Sequence, residues 1–311
     1  MFLTHAHARY ALRVLWGGAL VIVVALSDPS LVRGGAIAQN RPTQAIIPTS
    51  ADNSLPPACG LKSFKTLRIE KVIDAENLLL SDGSEYRTGV LASDLDDPAA
   101  GDALSRLVGV PIAVYQVRGN PPDPDRYGRI GGPAVIQSST GREWLQANLI
   151  ANGLARVVPG NPPRACTEAL LALENKARQN QMGHWQSGIF TVLEASNTQK
   201  ILRDVTRFAI VEGTVVRSSK SRGSVYLNFG RDWKKDFTVN IPKRLVSDLK
   251  GQQPTPAPDP GTTLYDPDDL PKPGSRIRVR GWIEDRSGPM IKVESLDQIE
   301  AIDQQPEQPP E

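Results

Sequence analysis

The sequence is poor in the residues that build zinc sites. Its 311 residues contain two cysteines and three histidines, and two of the histidines, His5 and His7, precede the first long apolar run. If the chain is cleaved after this run, His184 is the histidine that it keeps. Since zinc sites need several His and Cys ligands, the composition excludes them. Any bound metal would be a hard cation held by carboxylates.

The chain also has a small net charge and few aromatic residues. The formal net charge is +2, and aromatic residues make up 5% of the chain. A balance this close to neutral is no evidence for a nucleic-acid-binding protein. The hydrophobic and charged fractions, 40% and 23%, are ordinary for a soluble globular protein. The length suggests about two domains.

The N-terminal residues have the parts of a secretory signal. Arg9 and Arg13 precede a short apolar run, Val14 to Leu26, and the small residues Ala36 and Ala38 follow it. We expect residues 1–38 to be removed and the protein to be exported to the periplasm or secreted. The alternative is an uncleaved anchor, although the run is shorter than the about 20 residues that span a bilayer. No integral membrane segment is expected after cleavage.

Proline-rich and polar stretches divide the rest of the chain. Residues 39–58 are predicted to be a flexible linker, residues 251–273 a disordered insert, and residues 303–311 a disordered tail. Between them, residues 59–190 and 207–302 are predicted to be two folded domains. Residues 191–206 are predicted to be a helical connector.

The first domain alternates strand and helix patterns. Strands are predicted from Leu67 to Val90, with a hairpin turn at Asp82-Gly83, and then over 110–117 and 126–137. Helices are predicted over the remaining periodic segments, at 99–108, 142–152 and 165–181. This order favours a mainly β fold with α (α+β), namely a small Greek-key barrel of the OB type with helices packed on it.

The second domain reads as a second OB-like β-barrel. Five strand patterns (FAIVEGTVVRSS, SVYLNF, DFTVNI, SRIRVRGWIED and PMIKVESL) carry a short helix, KRLVSDL, after the third. Its aromatic residues have two interpretations, either barrel core or platforms on which bases stack. They are Tyr226, Phe229, Trp233, Phe237 and Trp282, with Lys234 and Lys235 nearby.

The two cysteines are Cys59, at the start of the first domain, and Cys166, at the start of the last helix of that domain. Export to an oxidising compartment favours a disulfide between them, and two buried free thiols are the alternative. His184 follows Gly183 at a helix end, and we interpret it as a structural residue that caps helix carbonyls.

The stretch RYGRIGGPAVIQSSTGREWLQANLIANGLARV, followed by ACTEALLALENKARQNQMGHW, resembles the staphylococcal nuclease (thermonuclease) family. The resemblance covers about residues 59–185. It implies an OB-fold barrel with packed helices and calcium-dependent phosphodiester hydrolysis. In that chemistry carboxylates hold Ca²⁺, another carboxylate activates water, and two arginines clamp the phosphate.

The resemblance assigns roles to individual residues. Arg129 matches one phosphate arginine, Tyr127 matches a substrate-contacting tyrosine, and Arg126 lies beside them. Asp74 matches the first aspartate of the family's metal turn, and Glu76 stands where the metal-ligating aspartate should be.

Other positions depart from the family pattern. Tyr86 replaces the first phosphate arginine, and Leu91 replaces the second metal aspartate. Asp94 replaces the general-base glutamate and is one methylene shorter. Arg87 is one position away from the family's arginine, so we expect it to serve only if a bulge re-aims it.

Two functions follow from these departures. The first is a degenerate nuclease-like domain that acts as a binding or scaffold module in the cell envelope, for nucleic acid, another polyanion or a protein partner. No cofactor is required for that role. The second is an active Ca²⁺-dependent nuclease with a rearranged site of Asp74, Glu76, Asp94, Arg87 and Arg129. Loss of one electrostatic group typically costs about 10²- to 10³-fold in rate, which favours the first function.

Overall fold

The computed structural model describes residues 55–89, 91–92, 97–117, 124–138, 141–160, 163–248, 263–264 and 270–302. These residues belong to one compact unit that is built on two large β-sheets with short helices. The predicted signal at 1–38, most of the linker and the tail at 303–311 lie outside the described residues. No helix within the described ranges is long and apolar enough to cross a membrane.

The first sheet lies in the N-terminal half and contains seven strands in the order β6-β3-β2-β1-β5-β7-β8. A two-residue pair, β4 with β9, lies beside it. The strands are β1 (Leu61–Val72), β2 (Asn77–Leu80), β3 (Glu85–Arg87), β4 (Leu91–Ala92), β5 (Pro111–Val117), β6 (Ile130–Gly131), β7 (Ala134–Ser138), β8 (Gly141–Trp144) and β9 (Arg156–Val157).

The predicted hairpin at Asp82-Gly83 is present between β2 and β3. Gly83 adopts φ +81°, a conformation that glycine takes without steric cost, and Asp82 accepts hydrogen bonds from the N–H and hydroxyl of Ser84. The strand before it, β1, begins six residues earlier than the pattern predicted, because its first half pairs with β5 and its second half with β2.

The sheet closes on itself through a broken strand. Residues 130–138 form two strands, β6 and β7, which Gly132 and Pro133 separate. β6 pairs with β3, and β7 pairs with β5. One continuous chain segment therefore joins β6, at one end of the strand order, to β7, which lies next to the other end, as in a five-stranded Greek-key barrel.

Helices cover one end of this sheet. They are α1 (Pro98–Ser105), α2 (Leu145–Ala151), α3 (Arg164–Gln179) and α4 (His184–Ser187). Leu170, Leu171 and Leu173 on α3 join the core of buried strand residues. A disulfide between Cys59 and Cys166 ties a 3-10 turn (Pro57–Cys59) to α3, with a Cα–Cα distance of 5.1 Å.

Two sequence predictions about helices are wrong. Residues 142–144 were predicted to start a helix, but they form β8, because Val135 and Ile136 of β7 pair with Trp144 and Glu143. The connector 191–206 contains a strand, β10 (Val192–Glu194), followed by a five-residue helix, α5 (Thr198–Leu202). β10 pairs in parallel with the first strand of the second sheet, which overrides its local propensity.

The second sheet has nine strands, and its main path runs β10-β11-β16-β17-β14-β13-β12. A helix, α6 (Lys243–Asp248), follows β14 as predicted. The remaining strands are β11 (Phe208–Thr214), β12 (Arg217–Ser221), β13 (Ser224–Asn228), β14 (Thr238–Ile241), β15 (Thr263–Leu264), β16 (Arg276–Asp285), β17 (Pro289–Lys292) and β18 (Ile299–Ala301).

This strand order is consistent with a barrel of the OB type. β11 and β12 are consecutive and separated only by Val215 and Val216, so the path from β11 through β16, β17, β14 and β13 to β12 returns to the same segment. Thr263–Leu264, inside the predicted disordered insert, pairs with β18. Residues 251–262 and 265–269 of that insert lie outside the described residues.

A buried charge network joins α3 to the second sheet. Arg280 of β16 is fully buried and forms ion pairs with Glu174 of α3 at 2.8 Å and with Glu300 of β18 at 2.5 Å. Arg280 also donates a hydrogen bond to the carbonyl of Val157. Burial alone would lower the pKa of Arg280, but Glu174 and Glu300 raise it, so the guanidinium stays charged.

An arginine also stacks between aromatic rings at this junction. The guanidinium of Arg156 lies 4.5 Å from the ring centroid of Phe190 and 5.2 Å from that of Phe208, and it donates to the carbonyl of Phe208. Phe190 and Phe208 are both buried. Packing and charge pairing thus hold the two sheets together.

Candidate functional site

The turn between β1 and β2 contains both carboxylates that the resemblance assigned to metal binding. Asp74 Oδ1 accepts hydrogen bonds from the backbone N–H groups of Glu76 and Asn77, each at 2.8 Å. The side-chain amide of Asn77 donates to both oxygens of Asp74 at 2.8 Å. Asp74 therefore shapes the turn, as aspartates commonly do.

Glu76 of the same turn pairs with an arginine. Its side chain is 5% exposed, and Oε2 lies 3.0 Å from Nη2 of Arg87, whose side chain is 43% exposed. β3 pairs with β2 in regular antiparallel register, with Arg87 opposite Asn77. Arg87 thus reaches this turn in regular register, because direct partners in an antiparallel pair point to the same face of the sheet. Its role as a phosphate arginine stays a prediction.

Tyr86, which occupies the family's arginine position, points to the opposite face. It is fully buried, its hydroxyl donates to the carbonyl of Gly132, and the amide of Gln146 donates to that hydroxyl. Burial raises the pKa of the Tyr86 phenol well above its ordinary value, because a phenolate is poorly solvated there. Tyr86 is part of the barrel core.

A second turn carries the residues predicted to contact substrate. Asp125 Oδ1 accepts from the backbone N–H groups of Tyr127 and Arg129, and Oδ2 lies 2.7 Å from Nη2 of Arg129. The hydrogen bond from Arg129 lowers the pKa of Asp125 to about 2, and the same hydrogen bond raises the pKa of Arg129. This ion pair gives Arg129 a structural role within the turn.

A side-chain hydrogen bond joins the two turns. Nη1 of Arg129 donates to Oδ1 of Asn77 at 3.2 Å. Arg87 lies opposite Asn77 on the neighbouring strand, so both arginines contact the Asp74–Asn77 turn. Sequence reasoning missed Asn77, since an asparagine in a turn has no pattern that distinguishes a linking residue from an ordinary turn former.

An exposed aromatic ring lies next to two cations in the second turn. Tyr127 is 66% exposed. The guanidinium carbons of Arg126 and Arg129 lie 4.7 and 4.9 Å from its ring centroid, within the range of a cation–π contact. Arg126 is exposed and Arg129 is half-buried. We call this cluster of Arg126, Tyr127 and Arg129 the arginine–tyrosine turn.

The described residues do not fit the predicted calcium site. Asp74 directs both oxygens at N–H donors, and Glu76 faces a guanidinium, so neither presents the free oxygen ligands that Ca²⁺ needs. In the described ranges no group of three or more His, Cys, Asp or Glu side chains could hold a metal ion. Asp94, the predicted general base, lies outside the described residues, and of Leu91 only the backbone in β4 is described.

The other predicted residues lie away from these turns. His184 is buried, and its Nε2 hydrogen-bonds to Asp97, which also caps the start of α1. His184 therefore has the structural surroundings that the sequence indicated, and the partner of its Nε2 is the Asp97 side chain rather than a helix carbonyl.

The aromatic residues of the second sheet divide between core and surface. Phe237 is fully buried, and Phe229 packs on it with ring centroids 5.1 Å apart. Trp233 and Trp282 are 59% and 47% exposed. Lys234 lies over the Trp233 ring, and Trp282 packs edge-on against Phe208.

Comparison with known proteins supports part of the resemblance. Residues 99–187 match the family model described as Staphylococcal nuclease homologue. This segment contains the arginine–tyrosine turn and α1 to α4, but Asp74, Glu76 and Arg87 precede it. No curated protein matches the chain.

Among solved structures, the chain is similar to a protein provisionally described as an aspartyl-tRNA synthetase from Leishmania major Friedlin. The identity is 13%, the match covers 34% of this chain and 20% of that chain, and the TM-score is 0.21. The match therefore spans about a fifth of that protein's length.

Proposed function

We propose that this protein is an exported nucleic-acid-binding module whose nuclease-like site holds phosphate without cutting it. The observation that carries the proposal is the arginine–tyrosine turn, where an exposed ring lies within 5 Å of two guanidinium groups. Guanidinium groups bind phosphate oxygens in a bidentate manner, and an aromatic face stacks on bases of any sequence. Other polyanions and protein partners remain alternatives that binding measurements distinguish.

The pairing of the carboxylates supports a non-catalytic role. A metal at Asp74 and Glu76 would have to displace the Asn77 amide and break the Glu76–Arg87 ion pair. Both interactions also position the arginines, since Arg129 donates to Asn77. The same contacts that remove free carboxylate oxygens therefore hold guanidinium groups at the surface.

Export to the periplasm or the medium is part of the proposal. The charged, apolar and small-residue segments of 1–38 support it. A disulfide between Cys59 and Cys166 suits an oxidising compartment. N-terminal sequencing of the protein from cell envelope fractions tests this part, and the expected first residue is Gln39. Recovery of the intact N-terminus in the membrane fraction would replace export with anchoring.

The binding role predicts that substitutions in the arginine–tyrosine turn weaken binding without affecting folding. Arg126→Ala and Tyr127→Ala should each reduce the affinity for a labelled oligothymidylate, because a cation or a stacking surface is lost. For Tyr127 the expected loss is about 1–3 kcal/mol. Fluorescence anisotropy measures the affinity, and Arg203→Ala, an exposed arginine after α5, is the matched control. Equal affinity for all four proteins would contradict the proposal.

A second candidate function, an active nuclease with a rearranged site, has one observation in its favour. Arg87 and Arg129 both contact the Asp74–Asn77 turn, as a phosphate clamp requires. The substitution Glu76→Gln separates the two candidates. In a nuclease it removes a carboxylate and should abolish cleavage, whereas in a binding module it frees Arg87 and should maintain or increase affinity.

The assay uses single-stranded and duplex DNA and RNA with Ca²⁺ or EDTA. Arg129→Ala serves as the control for contaminating nucleases. We expect no cleavage by the unmodified chain. Calcium-dependent cleavage that disappears in both Arg129→Ala and Glu76→Gln would establish the nuclease and refute the binding-only role.

A further inference from the structure

The outer face of the second sheet carries a polar surface that is separate from the nuclease-like site. Strand pairing aligns Ser219 with Tyr226, Tyr226 with Asn240, and Asn240 with Lys292, across β12, β13, β14 and β17. A neighbouring row aligns Arg217, Asn228, Thr238 and Met290 in the same way. Partners that lie opposite each other share a face, so both rows point to one side.

The alternate positions of the same strands show which side this is. Val225, Leu227, Val239, Ile241 and Ile291 are all buried and belong to the core of the second sheet. Because side chains alternate along a strand, the two polar rows point away from that core. We call these rows, together with Ser221 and Ser224 at the hairpin end, the outer polar face.

The outer polar face carries two exposed cations, and a carboxylate borders it on the next strand, β16. Arg217 and Lys292 are exposed, and within the described residues neither has a carboxylate partner. The row continues from Met290 to its direct partner Glu284 of β16, whose carboxylate pairs with Arg286. Three strand spacings and one two-residue step separate the two cations, a diagonal of roughly 16 Å. A ligand that binds both Arg217 and Lys292 must therefore carry negative charges at separate points.

The centre of the face offers a ring and an unpaired amide. Tyr226 is half-buried between Ser219 and Asn240. Asn240 is 8% exposed, and among the described residues its amide nitrogen has no hydrogen-bond partner, whereas the neighbouring Asn228 and Thr238 bond to each other. A buried donor without a partner costs free energy, so an acceptor from a ligand would be favourable there.

We propose that the outer polar face is a second binding site for single-stranded nucleic acid. Arg217 and Lys292 bind phosphates of the strand, Tyr226 stacks on a base, and Asn240 donates to an oxygen that the strand brings. Serine hydroxyls along β12 supply further donors to phosphate. A sulfated polysaccharide would satisfy the cations but would leave the aromatic ring without a role, so the ring favours nucleic acid.

The test measures the binding of fluorescein-labelled oligothymidylate to the chain from Gln39 onward at several salt concentrations. The variant Arg217→Ala/Lys292→Ala removes two phosphate contacts. It should weaken binding and lower the magnitude of the slope of log K against log salt by about 1.4. The control Arg203→Ala/Arg207→Ala removes the same charge from exposed positions outside this face, and its binding should match that of the unmodified chain.

Substitutions at Tyr226 test stacking separately from charge. Tyr226→Phe should retain the affinity, while Tyr226→Leu should lose roughly fivefold to a hundredfold, with equal thermal unfolding temperatures for both. Equal loss in both pairs of charge variants, or no loss in Arg217→Ala/Lys292→Ala, would refute the site. Equal binding by Tyr226→Leu together with full competition by heparin would also refute it, in favour of a general polyanion surface.

The same experiment distinguishes this inference from the proposed function. Loss of binding only in Arg126→Ala or Tyr127→Ala would leave the arginine–tyrosine turn as the binding site and refute the outer polar face. Loss only in the variants of the outer polar face would do the reverse. Additive losses in a combined variant are the result expected if both sites contact one strand.

Discussion

At the residue scale, the orientation of neighbouring side chains decides what the nuclease-like site can do. Tyr86 and Arg87 are adjacent in β3, yet Tyr86 is fully buried and Arg87 pairs with Glu76 at the surface. In the sequence, Arg87 lies one position away from the arginine of the nuclease family. The register of β2 with β3 nevertheless brings Arg87 to the turn that contains Glu76. The catalytic and binding roles of these residues stay predictions.

The Asp125–Arg129 ion pair predicts an acid-dependent contribution to stability. The pKa of Asp125 falls from 3.8 to about 2 in the folded protein. Its contribution is present above the unfolded value and is lost as the pH falls through the folded value. The difference in free energy of unfolding between the unmodified chain and Asp125→Asn should be constant above pH 4 to 5, and should disappear near pH 2.

Urea unfolding at a series of pH values measures this difference. Asn keeps an acceptor for the N–H groups of the turn, so the comparison isolates the charge. Asp102→Asn, on the exposed side of α1, controls for the loss of an acidic residue. A difference that stays the same down to pH 2 would contradict the assignment of the Asp125–Arg129 pair.

At the element scale, the strands and helices with strong local signals were predicted correctly. The Asp82-Gly83 hairpin, β5, α3 and α6 agree with the sequence within one to two residues. The segments 142–144 and 192–194 were predicted as helix but form strands, because pairing with β7 and β11 stabilises them. Local propensity contains no information about a distant pairing partner.

The disulfide is an element-scale contact with a measurable effect. Cys59→Ser/Cys166→Ser should lower the free energy of unfolding by about 2–5 kcal/mol, because the reduced chain gains entropy when it unfolds. The bridge closes a loop with a sequence separation of 107. Thermal unfolding with and without reductant measures the effect. The double variant should be insensitive to reductant, and equal transitions for oxidised and reduced unmodified protein would contradict the bridge.

At the scale of the whole molecule, a buried network makes the two sheets dependent on each other. Arg280 lies between Glu174 and Glu300, and Arg278 pairs with Glu212 and Glu300. Burial raises the pKa of Glu300, but the attraction of Arg280 and Arg278 is larger, so the pKa lies below its ordinary value. Arg280, whose pKa is raised, and Glu300, whose pKa is lowered, are therefore charged at neutral pH.

Removal of Arg280 should destabilise both sheets at once. Arg280→Met leaves Glu174 and Glu300 buried without their main partner, which should cost about 3–5 kcal/mol. Arg286→Ala removes an exposed ion pair with Glu284 and should cost less than about 1 kcal/mol. Urea unfolding monitored by tryptophan fluorescence measures both. The triple variant Arg280→Met/Glu174→Gln/Glu300→Gln should be more stable than Arg280→Met, because the two buried charges are removed. A small loss of stability in Arg280→Met, or no recovery in the triple variant, would refute the coupling.

The sequence by itself determined the fold class and the resemblance to staphylococcal nuclease over about residues 59–185, which the family model confirms for residues 99–187. It did so because hydrophobic periodicity, turn glycines and the DRYGR string are local signals. Only the tertiary structure decided that Arg87 meets Glu76, that Asn77 links the two turns, and that Arg280 joins α3 to the second sheet. These contacts bring together residues far apart in the chain, and their formation depends on strand register and burial, which no short stretch of sequence contains.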